Sequence, residues 1–96
     1  MAKKQITLDS VIVQSKDQIS CDLAGEAAIL EMKKGVYYGL DTVGARIWNL
    51  IKEPRKVCDV WKALLEEYEV APADCRRDLL SLLGNLFDAG LIQVEA

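Results

Sequence analysis

The residue types that most often carry chemistry are sparse in this chain of 96 residues. It contains no histidine, so the commonest general base and the commonest metal ligand are both missing. The three cysteines, Cys21, Cys58 and Cys75, stand far apart and match no zinc-ligand spacing. The six glycines stand singly rather than in a phosphate-binding loop. The sequence therefore predicts no catalytic residue, no cofactor and no metal, and we expect the cysteines to act as small hydrophobic side chains.

The charge balance argues against two classes of partner. The 12 basic and 15 acidic side chains give a net charge of −3. Because affinity for nucleic acid comes mainly from Lys and Arg on phosphates, we expect no nucleic-acid partner, and nothing favours an anionic membrane surface. No apolar run approaches the roughly 18 residues of a membrane helix, and no apolar signal core follows the N-terminus. We therefore expect a cytoplasmic protein with reduced thiols.

The remaining candidate chemistry is hydrogen bonding by an exposed strand edge. The segment Val36–Leu40 is short and aromatic, and it contains no Pro or Lys that would block pairing with another strand. Two interpretations stay open at this point. Either the edge is protected by its shortness or by the N-terminal segment, or it accepts a peptide as an added strand, with side-chain pockets providing specificity.

Alternation marks the first strand of the sheet that would present this edge. Ile19, Cys21 and Leu23 alternate with polar side chains, and a period of two indicates a half-buried strand. The segment before it is predicted to form a peripheral strand or a loose arm. Its short extended pieces, within residues 1–17, are Ile6–Leu8 and Val11–Val13.

Two further strands follow after short turns. The second strand carries Ala28, Leu30 and Met32 on one face. Lys33–Gly35 is predicted to be a tight turn, since glycine readily takes positive φ, and it leads into Val36–Leu40. Two short turns in succession predict an antiparallel meander of three strands.

The rest of the chain shows three helical patterns of apolar residues. The first starts at a cap, Asp41 or Thr42, and ends before Pro54. The second covers Val57–Tyr68, and the third lies within residues 72–90, with a proline in its first turn and a glycine just after its end.

The order of these elements gives the fold class. We predict a single α+β domain over residues 1–96, with a three-stranded antiparallel sheet followed by three helices and a short extended segment at residues 91–94. Three consecutive helices with a small sheet have the outline of a winged helix-turn-helix domain.

The third helix offers a second wall beside the strand edge. Leu82 shares a strip of this helix with Cys75 and Asp78, because residues four and seven positions apart lie on one face. This strip is either ordinary packing next to a solvated charge or one wall of a groove whose other wall is Val36–Leu40. Asp78 is the candidate polar contact of that groove.

Two stretches of the sequence resemble the signature of PqqD-like proteins. They are Gly-Val-Tyr-Tyr-Gly-Leu-Asp at residues 35–41 and Val-Gly-Ala-Arg-Ile-Trp at residues 43–48. PqqD-like proteins are the RiPP recognition elements, which bind leader peptides during ribosomal peptide maturation. The similarity covers residues 10–95 and is greatest to the standalone leader-binding proteins of lasso-peptide biosynthesis.

The resemblance implies a winged helix-turn-helix fold in which a precursor's leader peptide binds as an extra antiparallel strand on the third strand, against the third helix. It also implies a partner on a separate chain, a leader peptidase of the cysteine-protease type. Because neighbouring residues of a strand point to opposite faces, one of two adjacent tyrosines should face the core and the other the groove. The candidate peptide-binding residues are Leu30, Met32, Val36, Tyr37, Tyr38, Gly39, Leu40, Cys75, Asp78 and Leu82.

Two alternative functions remain open at the level of sequence. A winged-helix DNA-binding regulator shares the fold outline, but it needs a basic recognition helix. In the third helix, Arg76 and Arg77 stand among Asp74, Asp78 and Asp88, so this helix has no basic face. The other alternative is a dimerising module that pairs two copies through the same strand edge.

Overall fold

The computed structural model describes residues 6–16 and 18–95, so residues 1–5 and 17 of the predicted arm lie outside the described residues. The elements, in chain order, are β1 (Val11–Gln14), β2 (Gln18–Leu23), β3 (Glu26–Glu31), β4 (Val36–Leu40), α1 (Thr42–Leu50), β5 (Arg55–Lys56), α2 (Val57–Glu67), α3 (Pro72–Asp88) and β6 (Ile92–Glu95).

The predicted antiparallel meander is confirmed as the sheet β2-β3-β4. The two-residue turn Ala24–Gly25 joins β2 to β3, and its φ values of 53° and 86° fit the turn type that matches strand twist. The second strand ends at Glu31, which places Met32 in the next turn rather than in the strand. β4 is the last strand of this sheet, so among the described residues one of its sides faces no other strand.

A second antiparallel sheet, with the order β5-β1-β6, was not predicted as a sheet. The peripheral strand and the final extended segment of the sequence analysis pair here, from Val11 opposite Glu95 to Gln14 opposite Ile92. The extended piece predicted at Ile6–Leu8 is wrong, because the chain turns there and the N–H of Ser10 donates to the carbonyl of Thr7 at 3.1 Å. Through this pairing, β1 connects the N-terminal part of the chain with the C-terminal strand β6.

The three predicted helices are confirmed. Nearby capping hydrogen bonds, a proline and a glycine account for the ends of α1 and α3. The side chain of Asp41, rather than Thr42, caps α1 by accepting a hydrogen bond from the N–H of Gly44 at 2.8 Å. α3 begins with a proline in its first turn and ends where Gly90 takes a φ of 79°. Beyond that glycine, the N–H of Leu91 donates to the carbonyl of Leu86 at 2.9 Å, which satisfies a helix-end carbonyl.

One core joins both sheets to the three helices. Trp48 of α1 belongs to this core and is 1% exposed. Ile12 of β1, Ile29 of β3 and Leu83 of α3 belong to the same cluster and are fully buried. Trp61 of α2 also donates from its indole N–H to the carbonyl of Pro72 at 3.0 Å. The N-terminal strand is therefore part of the core and not a loose arm.

The alternation in β2 predicts the strand correctly but not its burial. Ile19 is 58% exposed, and Cys21 is exposed as well. Ile19 lies opposite Leu30, which lies opposite Tyr37, so these side chains share one face of the sheet. α1 packs against the other face, which carries Ile29. Ile19 and Cys21 of β2 therefore belong to an outer sheet face that the helices leave open.

Replacing Trp48 should test the centre of the core. Trp48→Ala is expected to lower the free energy of unfolding by about 3–5 kcal/mol, since it removes a large, fully packed side chain. Val43→Ala, at a side chain that is 41% exposed, should change it by no more than about 0.5 kcal/mol. Urea unfolding followed by circular dichroism measures both, and equal losses in the two variants would contradict this core assignment.

Candidate functional site

A buried carboxylate fixes the start of the edge strand β4. Glu31 is 5% exposed, and its two carboxylate oxygens accept the N–H groups of Lys33 at 3.1 Å and Lys34 at 2.7 Å. The N–H of Gly35, which has a φ of 69°, donates to the carbonyl of Glu31 at 2.9 Å. The turn before β4 is therefore held by three hydrogen bonds to one residue.

The other end of β4 is fixed by the start of α1. Leu40 is buried, and the next residue, Asp41, leaves the strand and caps the helix. A Cβ at Gly44 would lie 3.2 Å from the Oδ1 atom of Asp41 and 3.3 Å from the Cβ of Leu40. A glycine at this position lets the first turn of α1 approach the end of the strand closely.

A cavity of about 660 Å³ opens beside this end of β4. It lies between the strand end, α1, the end of α2, and α3, and most of its lining side chains are apolar. The lining residues are Gly39, Leu40, Asp41, Val43, Gly44, Ile47, Leu64, Tyr68, Val70, Asp74, Cys75, Asp78, Leu79 and Leu82.

An ion pair joins the two helices that form the inner wall of the cavity. The guanidinium of Arg46 in α1 donates from its Nε and Nη2 atoms to the carboxylate of Glu67 at the end of α2, both at 2.8 Å. The hydrogen bond from Arg46 lowers the pKa of Glu67. The ion pair is therefore formed at neutral pH and weakens only when the pH falls through that lowered pKa.

The outer wall is the strip of α3 that the helical period predicts. Cys75, Asp78 and Leu82 all line the cavity, with Cys75 and Leu82 half-buried. Burial, and secondarily the charge of Asp78, raises the pKa of the Cys75 thiol, which is therefore neutral at physiological pH. Asp78 itself is exposed, and its Oδ1 atom lies 3.5 Å from the Nε atom of Arg77. The wall is apolar inside and acidic at its rim.

The structure brings half of the predicted site residues to this cavity. They are Gly39, Leu40, Cys75, Asp78 and Leu82.

The other five predicted residues lie elsewhere. Tyr38 is half-buried and packs against the core, whereas Tyr37 is 67% exposed and lies with Leu30 on the outer sheet face. One tyrosine does face the core, but the other faces away from the cavity, contrary to expectation. Val36 is 42% exposed at the far end of β4, and Met32 lies in the turn before it.

Several lining residues were not among the sequence candidates. Val43 and Val70 are 41% and 47% exposed, which is unusual for apolar residues beside a core. Val43 lies in the first turn of α1, where the apolar period predicted packing rather than an open surface, and Val70 lies between α2 and α3. Asp74 was considered only as one of the acidic residues of the third helix, although it also lines the cavity.

The described residues contain neither a metal-binding cluster nor a membrane-spanning helix. Over residues 6–16 and 18–95, no group of three or more His, Cys, Asp or Glu side chains could hold a metal ion. No helix in that part of the chain has the length and apolarity needed to cross a bilayer. A strand with one unpaired side next to an apolar cavity is suited to bind an extended peptide, whose backbone pairs while a side chain fills the cavity.

Comparisons with known proteins agree with this geometry. The family described as coenzyme PQQ synthesis protein D (PqqD) matches residues 26–92, which confirms the resemblance seen in the sequence. No curated protein matches the chain.

Two solved structures share the fold. The structure of TbiB1 in complex with the TbiA(beta) leader peptide has a TM-score of 0.81 and 32% identity, over 88% of this chain and 98% of that one. The structure of a lasso peptide synthetase B1 complexed with the leader peptide has a TM-score of 0.75 and 23% identity, over 85% of this chain and 96% of that one.

Removing the carboxylate of Glu31 should loosen β4. Glu31→Ala is expected to lower the free energy of unfolding by about 1–3 kcal/mol, because two turn N–H groups lose their acceptor. The amides of β4 should also exchange with deuterium faster than those of α2, as measured by NMR. Lys34→Ala is the matched control, since it keeps the backbone N–H that Glu31 binds. Equal protection of β4 in the two variants would contradict the role given to Glu31.

Proposed function

The chain belongs to the PqqD family, and on that basis we propose that it binds the leader peptide of a ribosomally made precursor, of the lasso-peptide class. The leader would add as an antiparallel strand to the open side of β4, with α3 on its other side. The observation that carries this proposal is the apolar cavity at the Leu40 end of that strand.

In this geometry, backbone pairing would provide affinity and the cavity would provide specificity. Backbone N–H and C=O groups on the open side of β4 would pair with a strand of almost any sequence. Side chains of an added strand alternate between its two faces, so every second one would point toward α3. An apolar side chain in the cavity, between Leu40 and Leu82, would therefore distinguish one leader from another.

The solved structures support this function to different degrees. TbiB1 is 32% identical over nearly its whole length and was solved with a leader peptide. The likeness to the lasso peptide synthetase B1, at 23% identity, supports the fold alone. Asp78 lines the cavity, and we expect its carboxylate to accept a hydrogen bond from a leader hydroxyl or backbone N–H.

We further propose that the protein presents the bound precursor to a separate leader peptidase in the cytoplasm and has no catalytic activity of its own. The absence of histidine from the sequence supports the proposed lack of catalytic activity, because it removes the commonest general base. A leader held on β4 would leave the remainder of the precursor outside the groove, where a second protein has access to it.

A DNA-binding role has less support. Arg77 of α3 lies within ion-pairing distance of two carboxylates, at 3.2 Å from Asp74 and 3.5 Å from Asp78. Its charge is therefore largely offset, and α3 offers no basic surface to a phosphate backbone.

Leader binding is tested by a fluorescence polarisation titration. The probe is the fluorescein-labelled leader of the precursor encoded beside the gene for this chain. Asp78→Ala and Leu82→Ala should each weaken binding roughly tenfold, the first by removing a charge-assisted hydrogen bond and the second by removing apolar contact.

Asp88→Ala is the control for this titration. Asp88 is an exposed aspartate of the same helix, about 15 Å along its axis from Asp78, and it does not line the cavity. All variants are compared at matched folded fractions. Equal affinities for Asp78→Ala, Leu82→Ala and Asp88→Ala would remove α3 from the binding surface.

The absence of catalysis is tested by mass spectrometry of the full precursor after incubation with the purified protein. We expect an unchanged precursor mass, because the sequence contains no histidine to serve as a general base. Cleavage or cyclisation that increases in proportion to the protein concentration, and persists in a preparation free of proteases, would refute this part of the proposal.

A further inference from the structure

A buried carboxylate occupies a position of β3 that the alternation of the strand would fill with an apolar side chain. Ala27, Ile29 and Glu31 point to the same face of this strand, the face against which α1 packs, and all three are buried. A buried carboxylate has a desolvation cost that hydrogen bonds must offset. The two oxygens of Glu31 accept N–H groups of the following turn, at 3.1 Å and 2.7 Å, so this side chain acts on the segment that leads into β4.

The residue that holds this turn is itself firmly placed. Glu31 ends the central strand of the meander, and it lies opposite Gln18 of β2 on one side and Val36 of β4 on the other. Its backbone carbonyl also accepts the N–H of Gly35 at 2.9 Å. Residues 32–35 are therefore attached to the strand of the sheet that has a partner on both sides.

Side-chain packing anchors β4 at one end only. Leu40 is buried and Tyr38 is half-buried, whereas Val36 is 42% exposed and Tyr37 is 67% exposed. Among the described residues, β4 pairs with β3 alone. A strand end with exposed side chains and one partner strand opens readily, because few buried contacts oppose the gain in backbone entropy. Besides its pairing with β3, the Val36 end therefore depends on the turn that Glu31 holds.

We propose that Glu31 is a positioning residue for leader binding, whose carboxylate keeps the Val36 end of β4 extended before the leader arrives. This inference rests on the proposed function. A leader pairs along the whole strand only in molecules whose β4 is fully extended, so its apparent dissociation constant rises as the fraction of such molecules falls. Glu31 does not line the cavity, and it therefore acts through β4 and not by contact with the leader side chain in the cavity.

A positioning residue and a contact residue affect different rate constants. Loss of a direct contact, as in Leu82→Ala, acts mainly on the dissociation rate constant. Loss of prior order lowers the fraction of molecules that are ready to bind, and it lowers the association rate constant in proportion. The complex, once formed, holds the strand extended and should dissociate at nearly the native rate. The two rate constants therefore distinguish positioning from contact.

The test is a stopped-flow measurement of fluorescence anisotropy with the fluorescein-labelled leader of the precursor encoded beside this chain's gene. Glu31→Ala should lower the association rate constant about fivefold, since two turn N–H groups lose a charged acceptor. The same variant should change the dissociation rate constant by less than about twofold.

A milder substitution keeps the test decisive if Glu31→Ala fails to fold. Glu31→Gln preserves the size of the side chain and one oxygen acceptor, but it places an amide group against the second turn N–H. It should lower the association rate constant about twofold, again with little change in dissociation.

Two control variants separate the turn from charge and from overall stability. Glu26→Gln removes the same charge at the exposed opposite end of β3, away from the turn, and both rate constants should stay at the native values. Ile51→Val shortens a fully buried core side chain that does not line the cavity. It should lower stability without changing either rate constant, when variants are compared at matched folded fractions.

The outcomes separate this inference from the function on which it rests. Association rate constants for the Glu31 variants that equal the value for Ile51→Val would overturn the positioning role and leave leader binding intact. A loss of affinity that lies wholly in the dissociation rate constant would overturn it as well. Failure of the native protein to bind the leader would overturn the proposed function together with the inference.

Discussion

The structure depends on one constraint, which is that β4 pairs with a strand of the described chain on one side only and yet must keep a fixed position. An unpaired strand edge would ordinarily fray or pair with another copy. Here the carboxylate of Glu31 holds the turn at one end and the carboxylate of Asp41 caps the helix at the other. Two acidic side chains, neither of them on β4, thus keep the five residues of this strand in place, while its outer side pairs with no other described strand.

The position of α3 opposite this edge depends on the second sheet. β6 follows α3 directly and pairs with β1, and the N–H of Ser15 donates to the carbonyl of Leu91 at 2.9 Å. The end of α3 is thereby tied to the strand that precedes the meander. The strand β1 thus connects the end of α3 to the sheet that contains β4, although no residue of β1 lines the cavity.

One helix serves both the core and the groove because its two faces differ in residue type. Leu79, Leu83 and Leu86 are buried in the core, whereas Cys75 and Leu82 are half-buried at the cavity and Asp78 is exposed at its rim. The apolar residues of the groove side remain accessible because no other element of the described chain covers them. On the proposed function, a substitution at Leu83 should affect packing alone, whereas one at the neighbouring Leu82, which lines the cavity and also touches the core, should affect leader binding as well.

Local patterns in the sequence determined the meander, the three helices, the strip Cys75–Leu82 and the family, because periodicity, turns and short motifs depend on residues close together in the chain. They could not determine which face of the meander the helices cover. The outer positions of Ile19 and Tyr37 depend on where α1 packs. The tertiary structure alone decided the pairing of β1 with β6 and the location of the cavity at the Leu40 end of β4, since both join residues that are distant in sequence.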